Sequence, residues 1–123
     1  MPTSPLLLIF IGGGLGSLVR YGLSRWPGNP SMGFPWGTFL ANVLACLVLG
    51  LAVNYVATRS DLAPTLKPLV LIGFCGGFST FSTFSLESYR MLTAGQWQLA
   101  LAYVLASTLA CWGIFAIIVS AGK

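Results

Sequence analysis

The sequence contains no histidine and only two acidic residues, Asp61 and Glu87. General acid–base catalysis, zinc coordination and Ser-His-Asp chemistry all depend on the side chains that are scarce or missing here. The composition therefore disfavours an enzyme.

Charged residues of both signs are also few. They make up 7% of the chain, while 56% of the residues are hydrophobic. Soluble domains carry roughly 25% charged residues, so a lipid bilayer is the better solvent for this chain. The net charge is +4, but the basic residues form no patch or stripe, which disfavours nucleic acid as a partner.

The cysteines are three in number, and all of them lie inside apolar stretches: Cys46, Cys75 and Cys111. Their spacing does not match that of a metal site. We expect them to act as small packing residues.

Four stretches are long and apolar enough to cross a bilayer, which takes about 20 residues. They cover approximately residues 5–21, 36–57, 68–92 and 97–121, separated by connectors with Pro27-Gly28-Asn29-Pro30, Arg59-Ser60-Asp61 and Thr93-Ala94-Gly95-Gln96. We predict an all-α membrane protein whose residues 1–123 form a single four-helix transmembrane domain.

The basic residues indicate no preferred orientation in the membrane. Arg59, Lys67 and Lys123 fall on the side of both termini, and Arg20, Arg25 and Arg90 fall on the other side. The positive-inside rule needs an excess on one side. Either the orientation is weakly specified, or the chain inserts both ways and pairs with an inverted copy of itself. The second explanation is favoured, because four short helices can hardly enclose a pathway alone.

The first span carries Gly12 and Gly16 at GxxxG spacing. The glycine run resembles a nucleotide-binding loop only poorly, because Ser17 stands where a last glycine is required. We predict close helix packing at these glycines. Spacing alone favours a headgroup position for Arg20 and Glu87, with an inward structural or anion-attracting position as the alternative.

Small and polar side chains recur at four-residue steps on one face of two spans. They are Asn42, Cys46, Gly50 and Asn54 in the second span, and Tyr103, Ser107 and Cys111 in the fourth. Two interpretations stay open for Asn42. The stripe is a packing seam in which its amide bonds to another helix, or it lines a polar path.

The segment GFCGGFSTFSTFS, residues 73–85, places glycines in the middle of the third span. Gly73, Gly76 and Gly77 predict a break in the helix at membrane depth. Such a break is tolerated only where it is buried in protein or lines a watery cavity.

Beyond these glycines, Phe81 and Phe84 share a helix face next to the hydroxyls of Ser82 and Thr83. The edge of an aromatic ring is positive, so these rings can favour an anion where little water competes. Ordinary packing of the phenylalanines is the alternative.

Taken in order, four segments resemble the Fluc (CrcB) family of fluoride channels: GGGLGSLVRY (12–21), PWGTFLANVLACLVLG (35–50), GFCGGFSTFSTFS (73–85) and YVLAS (103–107). The resemblance implies a small four-helix channel that assembles as an antiparallel, dual-topology homodimer with two fluoride pathways. It further implies a multi-pass protein in the plasma (inner) membrane of a microbe, where toxic fluoride leaves the cytoplasm passively.

The resemblance also assigns roles to single residues. Phe81 and Phe84 resemble the phenylalanines whose ring edges contact fluoride, and Asn42 resembles the pore asparagine that hydrogen-bonds the ion. A polar track of hydroxyl residues corresponds to Ser82, Thr83, Tyr103 and Ser107.

The remaining matches concern the ends of the route and a cation. Arg20 corresponds to the vestibule arginine. The backbone carbonyls of Gly76 and Ser79 correspond to those that hold a structural sodium ion between two subunits. Ser79 stands where threonine is usual, and Cys111 stands where the track often has another serine, which implies a drier end of the route.

Two other functions compete with a fluoride channel. A small multidrug-type proton-coupled exporter also has four helices, but it needs a carboxylate in the membrane, and the first span has none. A non-transporting membrane assembly subunit would pass no ion.

Overall fold

The computed structural model describes residues 4–25 and 33–122, and every regular element in these residues is helical. Helix α1 is Pro5–Arg25 and α2 is Trp36–Thr58. The third span consists of four successive pieces: α3 (Ala63–Leu66), a π-helical segment (Lys67–Phe74), α4 (Cys75–Phe78) and α5 (Phe81–Thr93). Helix α6 is Trp97–Ala121.

Four helical stretches have the length and apolarity of a membrane span: Pro5–Arg25, Trp36–Thr58, Ala63–Thr93 and Trp97–Ala121. The four predicted spans are thus confirmed, although two bounds differ by more than one residue. The first helix continues to Arg25, and the third begins earlier because Pro64 occupies the first turn of α3, where its missing N–H is not needed. The predicted connector Pro27-Gly28-Asn29-Pro30 and the counted charge of Lys123 lie outside the described residues.

Helix α1 packs against the π-helical segment and α4 with backbone touching backbone. A side chain at Gly12 would collide with the carbonyl of Leu69, and one at Gly16 with the carbonyl of Phe74. From the other side, a side chain at Gly77 would collide with the backbone of Gly13. The predicted close packing at the GxxxG glycines is therefore confirmed, and it fixes α4 firmly against α1.

The π-helical segment Lys67–Phe74 widens the turn that leads into α4. The Cys75 N–H donates to the Val70 carbonyl, five residues back, instead of four. Pro68 stands at the start of the segment and has no N–H to give to an α-helical partner. Two glycines that contact α1 lie here: Gly73 within the π-helical segment and Gly77 in α4.

The third span is interrupted between α4 and α5. Ser79 (φ −80°, ψ 157°) and Thr80 (φ −151°, ψ 119°) have extended backbone. The position differs from the sequence prediction: Gly73, Gly76 and Gly77 are themselves helical, and the chain leaves the helix only beyond Phe78. Gly73 and Gly77 serve the contact with α1, and the interruption falls where Thr80 has a polar partner on α2.

Helices α2 and α6 pack side by side along the predicted seam. Asn54 donates from Nδ2 to the Ile118 carbonyl at 2.7 Å, and Gly50 lies against Ile118 and Phe115. Beside this pair, Ala41 and Ala45 of α2 pack with Phe78 of α4 in one buried cluster. Helix α2 therefore contacts α6 on one side and the end of α4, where the third span is interrupted, on another.

Candidate functional site

The interruption of the third span is held by the side chain of Asn42. Its Oδ1 accepts a hydrogen bond from the Thr80 N–H at 2.7 Å, and its Nδ2 donates to the Thr80 carbonyl at 3.2 Å. A buried backbone N–H and C=O that leave a helix need such partners. The amide on the polar stripe thus bonds to another helix, as one of the two sequence interpretations held, while Asn42 also lines the cavity described below.

Thr80 in turn starts helix α5. Its Oγ1 accepts from the Thr83 N–H at 3.1 Å, which is an N-cap bond. The same oxygen lies 3.3 Å from the exposed hydroxyl of Ser82. Ser82 and Thr83 therefore belong to the start of α5, and neither lines the cavity.

The interruption also releases two backbone carbonyls from their usual partners. In a continuous α-helix the Gly76 carbonyl would accept from Thr80 N–H, and the Ser79 carbonyl from Thr83 N–H. Here these N–H groups donate to Asn42 and to the Thr80 hydroxyl. Gly76 and Ser79 share a small cavity of about 150 Å³. Oxygen atoms freed in this way are the ligands that hard cations prefer, so both residues fit the sodium site that the resemblance implied.

Arg20 is bonded inward to the end of α4. Its Nε donates to the Gly77 carbonyl at 3.0 Å, and Ser17 Oγ lies 3.5 Å from the same oxygen. Spacing alone favoured a headgroup position, and the structure differs because the carbonyl at the end of a helix needs a donor. The side chain is half-buried, so its guanidinium adds positive charge next to the interruption.

A cavity of about 290 Å³ lies where the interruption faces helices α2 and α6. Its walls combine apolar, hydroxyl, amide and thiol groups: Asn42, Cys46, Ser79, Thr80, Phe81, Phe84, Ser107, Thr108, Cys111 and Trp112. Ser107 is 5% exposed, and its hydroxyl has no hydrogen-bond partner among the described residues. A buried hydroxyl without a partner is rare, and here it lies in the wall of a space that has room for a polar ligand.

The two phenylalanines form one side of this cavity. Their ring centroids are 5.9 Å apart at an interplanar angle of 42°. Phe81 is 79% exposed, whereas Phe84 packs on the Tyr103 ring at 4.9 Å. The Phe84 ring is thus held by packing within the protein, and the Phe81 ring is exposed on its surface.

Tyr103 is fully buried and does not line the larger cavity, and its hydroxyl donates to Glu87 Oε1 at 2.8 Å. Thr38 donates to the other carboxylate oxygen of Glu87 at 3.1 Å. Glu87 is therefore half-buried with partners, in contrast to the headgroup position that spacing favoured. Sequence reasoning missed Thr38, since nothing local connects it to an acid 49 residues away.

The predicted site residues therefore fall into separate groups. Asn42, Ser79, Phe81, Phe84 and Ser107 line the larger cavity. The other predicted residues lie elsewhere: Ser82 and Thr83 at the start of α5, Tyr103 on Glu87, Arg20 on α4, and Gly76 in the smaller cavity.

Known proteins resemble this chain over most of its length. The family model described as "CrcB-like protein, Camphor Resistance (CrcB)" matches residues 7–121. The chain belongs to the CrcB family. Among its curated relatives, a protein named fluoride-specific ion channel FluC from Hahella chejuensis is 40% identical over 123 residues, which cover 99% of this chain and 94% of the relative.

Two further relatives carry the same name. The FluC protein of Chloroflexus aurantiacus (strain J-10-fl) is 36% identical over 118 residues, covering 95% of this chain and 92% of the relative. That of Leptospira interrogans (strain Fiocruz L1-130) is 45% identical over 104 residues, covering 83% and 81%. With four helices able to span a bilayer, this CrcB-family chain is a multi-pass membrane protein.

Proposed function

We propose that this protein is a fluoride-selective channel that lets fluoride leave the cytoplasm passively and so confers fluoride resistance. Its curated relatives are named fluoride-specific ion channels, which supports fluoride as the transported ion. The observation in the molecule that carries the proposal is the buried, unpartnered hydroxyl of Ser107 in a cavity rimmed by Phe81 and Phe84. No bond is made or broken in this function, in keeping with the near absence of acid–base groups.

The groups around the cavity suit a small, strongly hydrated anion. A selective pore must replace the hydration shell by donors without binding the ion too tightly to release it. Ser107 and Thr108 offer hydroxyl donors, and the positive ring edges of the phenylalanines add weaker contacts. Arg20, held inward at the end of α4, raises the local potential for an anion.

Within this proposal, Asn42 contributes through the backbone that it holds. Both polar atoms of its amide are bonded to Thr80. It therefore shapes the wall beside Phe81. Nδ2 carries a second N–H, and this is the donor that would serve the ion contact implied by the resemblance. Tyr103 contributes similarly, because its ring supports Phe84 while its hydroxyl is bonded to Glu87.

We further propose that the working form is an antiparallel, dual-topology homodimer with two pathways, its third helices broken at membrane depth. The balanced count of basic residues supports two orientations. Phe81 and Trp112 are 79% and 66% exposed although both line the cavity. A second copy would cover this open side and complete the route.

A structural sodium ion between the two copies is part of the same proposal. Gly76 and Ser79 would hold it through their released carbonyls, and a side chain at Gly76 would meet nothing within 4 Å, so that face is open to a second copy. When bound, the ion would supply a fixed positive charge that ties the two interruptions together. The plasma (inner) membrane of a microbe is the location that fits fluoride export.

Fluoride release from liposomes tests the function directly. Purified protein is reconstituted with internal potassium fluoride, efflux is started with valinomycin without a pH gradient, and a fluoride electrode records it. Rapid fluoride release with little release from matched chloride-loaded vesicles is the expected result. Vesicles that hold their fluoride as well as protein-free vesicles would refute the proposal.

One observation favours a second candidate, a small multidrug-type proton-coupled exporter. Glu87 is an ionisable group within a span, held by Thr38 and Tyr103, as a proton-carrying carboxylate would need to be. An exporter of this kind would move a cationic dye only with a pH gradient, whereas a channel releases fluoride without one.

A further inference from the structure

Two cysteines from different helices meet in the larger cavity. Cys46 of α2 and Cys111 of α6 both line it, and both are half-buried. Cys111 Sγ lies 3.8 Å from the carbonyl of Asn42, which stands one helical turn before Cys46 on α2, so the two cysteines are neighbours across the α2–α6 contact. The sequence predicted packing residues, and the structure adds that both cysteines line the wall of one cavity.

The cavity can hold a ligand between these two thiols. Its volume is about 290 Å³, whereas one water molecule takes about 30 Å³ in the liquid. Both cysteines are free thiols. The unpartnered Ser107 hydroxyl in the same wall shows independently that a polar or ionic occupant would find an unmet group here. Thiols are weak hydrogen-bond donors, so fluoride makes little use of them.

The chemistry of the pair selects a particular class of ion. Sulfur ligands favour soft metal ions over hard ones. Zinc usually needs four ligands, yet within residues 4–25 and 33–122 no three His, Cys, Asp or Glu side chains converge. Two sulfurs and no carboxylate leave a soft cation that accepts two ligands in a line, such as Ag⁺ or Cu⁺.

We propose that Cys46 and Cys111 bind a soft monovalent cation between α2 and α6, and that the bound ion obstructs the cavity. The cation displaces the proton of one thiol, which leaves to water, and forms a metal–thiolate bond. The second thiol keeps its proton and donates a sulfur lone pair. The metal stays at +1 and the complex is neutral overall, which suits a site surrounded by hydrocarbon.

The third cysteine provides a matched control on the same chain. Cys75 is only 3% exposed and does not line the larger cavity. It shares only the smaller cavity with Cys46, whereas Cys111 shares the larger one. Binding by the proposed pair must therefore survive loss of Cys75.

Silver nitrate and thiol labelling test the site without using transport. The full-length protein in chloride-free lipid nanodiscs is treated with one equivalent of Ag⁺, then with a small maleimide, and labelled cysteines are identified by mass spectrometry. Protection of Cys46 and Cys111 is expected in the wild type and in Cys75→Ser. In Cys46→Ser and Cys111→Ser, we expect silver binding weaker by more than about 100-fold, beyond what loss of a second-shell partner costs.

Three results would overturn the site: silver binding unchanged in both Cys46→Ser and Cys111→Ser, silver binding lost in Cys75→Ser, or no protection of Cys46 and Cys111 in the wild type. If a serine variant does not fold, the corresponding alanine variant is measured in its place, after size-exclusion chromatography.

The blocking effect rests on the proposed function and has its own readout. Ag⁺ should stop fluoride efflux from liposomes made with wild-type protein or Cys75→Ser, and should leave efflux through Cys46→Ser unaffected. Silver binding with undiminished fluoride efflux would refute the claim that the bound ion obstructs the cavity, but it would not contradict the binding site itself. Liposomes that release no fluoride even without silver would instead contradict the proposed function, and the labelling result would stand on its own.

Discussion

Asn42 and Thr80 are joined by two hydrogen bonds that use both polar atoms of the asparagine amide and both polar atoms of the threonine backbone. The two residues are 38 positions apart in the sequence. The bond from the Thr80 N–H replaces the helical bond that Thr80 gives up at the interruption. It also frees the Gly76 carbonyl, because the donor that a helix would supply is taken by Asn42.

Replacing Asn42 by aspartate keeps the acceptor for the Thr80 N–H but loses the donor to its carbonyl. The new carboxylate also faces that carbonyl oxygen directly. Since each hydrogen bond contributes about 0.5–1.5 kcal/mol, we expect a less stable interruption and at least about tenfold slower fluoride efflux. Asn54→Asp is the control: it also loses a bond to a carbonyl, but lies at the other end of α2. Equal efflux in both variants would contradict the role of Asn42.

Replacing Ser107 by alanine should separate stability from transport. Because the hydroxyl has no protein partner, its removal relieves a desolvation cost of about 1–3 kcal/mol. We expect thermal unfolding at the same or a higher temperature, together with about tenfold slower fluoride efflux. A variant that is less stable and conducts normally would show that Ser107 serves the fold.

The phenylalanines should be needed for flux but not for assembly. Phe81→Ile and Phe84→Ile each remove a ring edge while keeping an apolar side chain, and we expect both to abolish fluoride efflux while dimers still form on size-exclusion chromatography. Phe10→Ile is the matched control, because Phe10 is 77% exposed on α1. Unchanged efflux in both cavity variants would remove these residues from the pathway.

The effect of a glycine-to-alanine substitution on α1 should depend on whether the glycine contacts the third span. Gly16→Ala would push a methyl group into the Phe74 carbonyl, whereas Gly14→Ala meets nothing within 4 Å. Overpacking of this kind costs about 1–3 kcal/mol or more. We expect a lower unfolding temperature and a lower yield of purified protein for Gly16→Ala only. Equal stability of the two variants would contradict the packing of α1 on the π-helical segment.

Glu87→Gln distinguishes a channel from a proton-coupled exporter. Glutamine keeps one oxygen as an acceptor for Thr38 or Tyr103 but cannot carry a proton in exchange. Passive fluoride efflux under valinomycin should persist in this variant. An exporter would lose gradient-driven dye transport on the same change, so the pair of assays decides between the two functions.

Local patterns in the sequence were sufficient for the four spans and for the α1 packing, because apolar length and GxxxG spacing are properties of neighbouring residues. The position of the interruption was not predictable in this way. Glycines permit a break, but the partner that stabilises one is Asn42, on another helix. Thr38 and Glu87 illustrate the same limit, since their hydrogen bond depends on how α2 and α5 pack.

The cysteines show a related limit for the site. Four-residue steps on α2 and α6 placed Cys46 and Cys111 on two polar stripes, but only tertiary packing places them in the same cavity. The resemblance to CrcB proteins supplied candidates for the route. It gave no reason to expect that the Asn42 amide and the Tyr103 hydroxyl would already be bonded within the protein.

The π-helical segment Lys67–Phe74 sets the rotation of α4 and of the interruption about the helix axis. If the same eight residues wound as an ordinary α-helix, each turn would hold fewer residues and the chain would reach Phe78 in a different phase. Each residue of an α-helix turns the chain by about 100°, so Gly77 would swing away from Gly13, and Ser79 and Thr80 would no longer face Asn42. The eight-residue π-helical segment thus sets the direction in which the interruption faces.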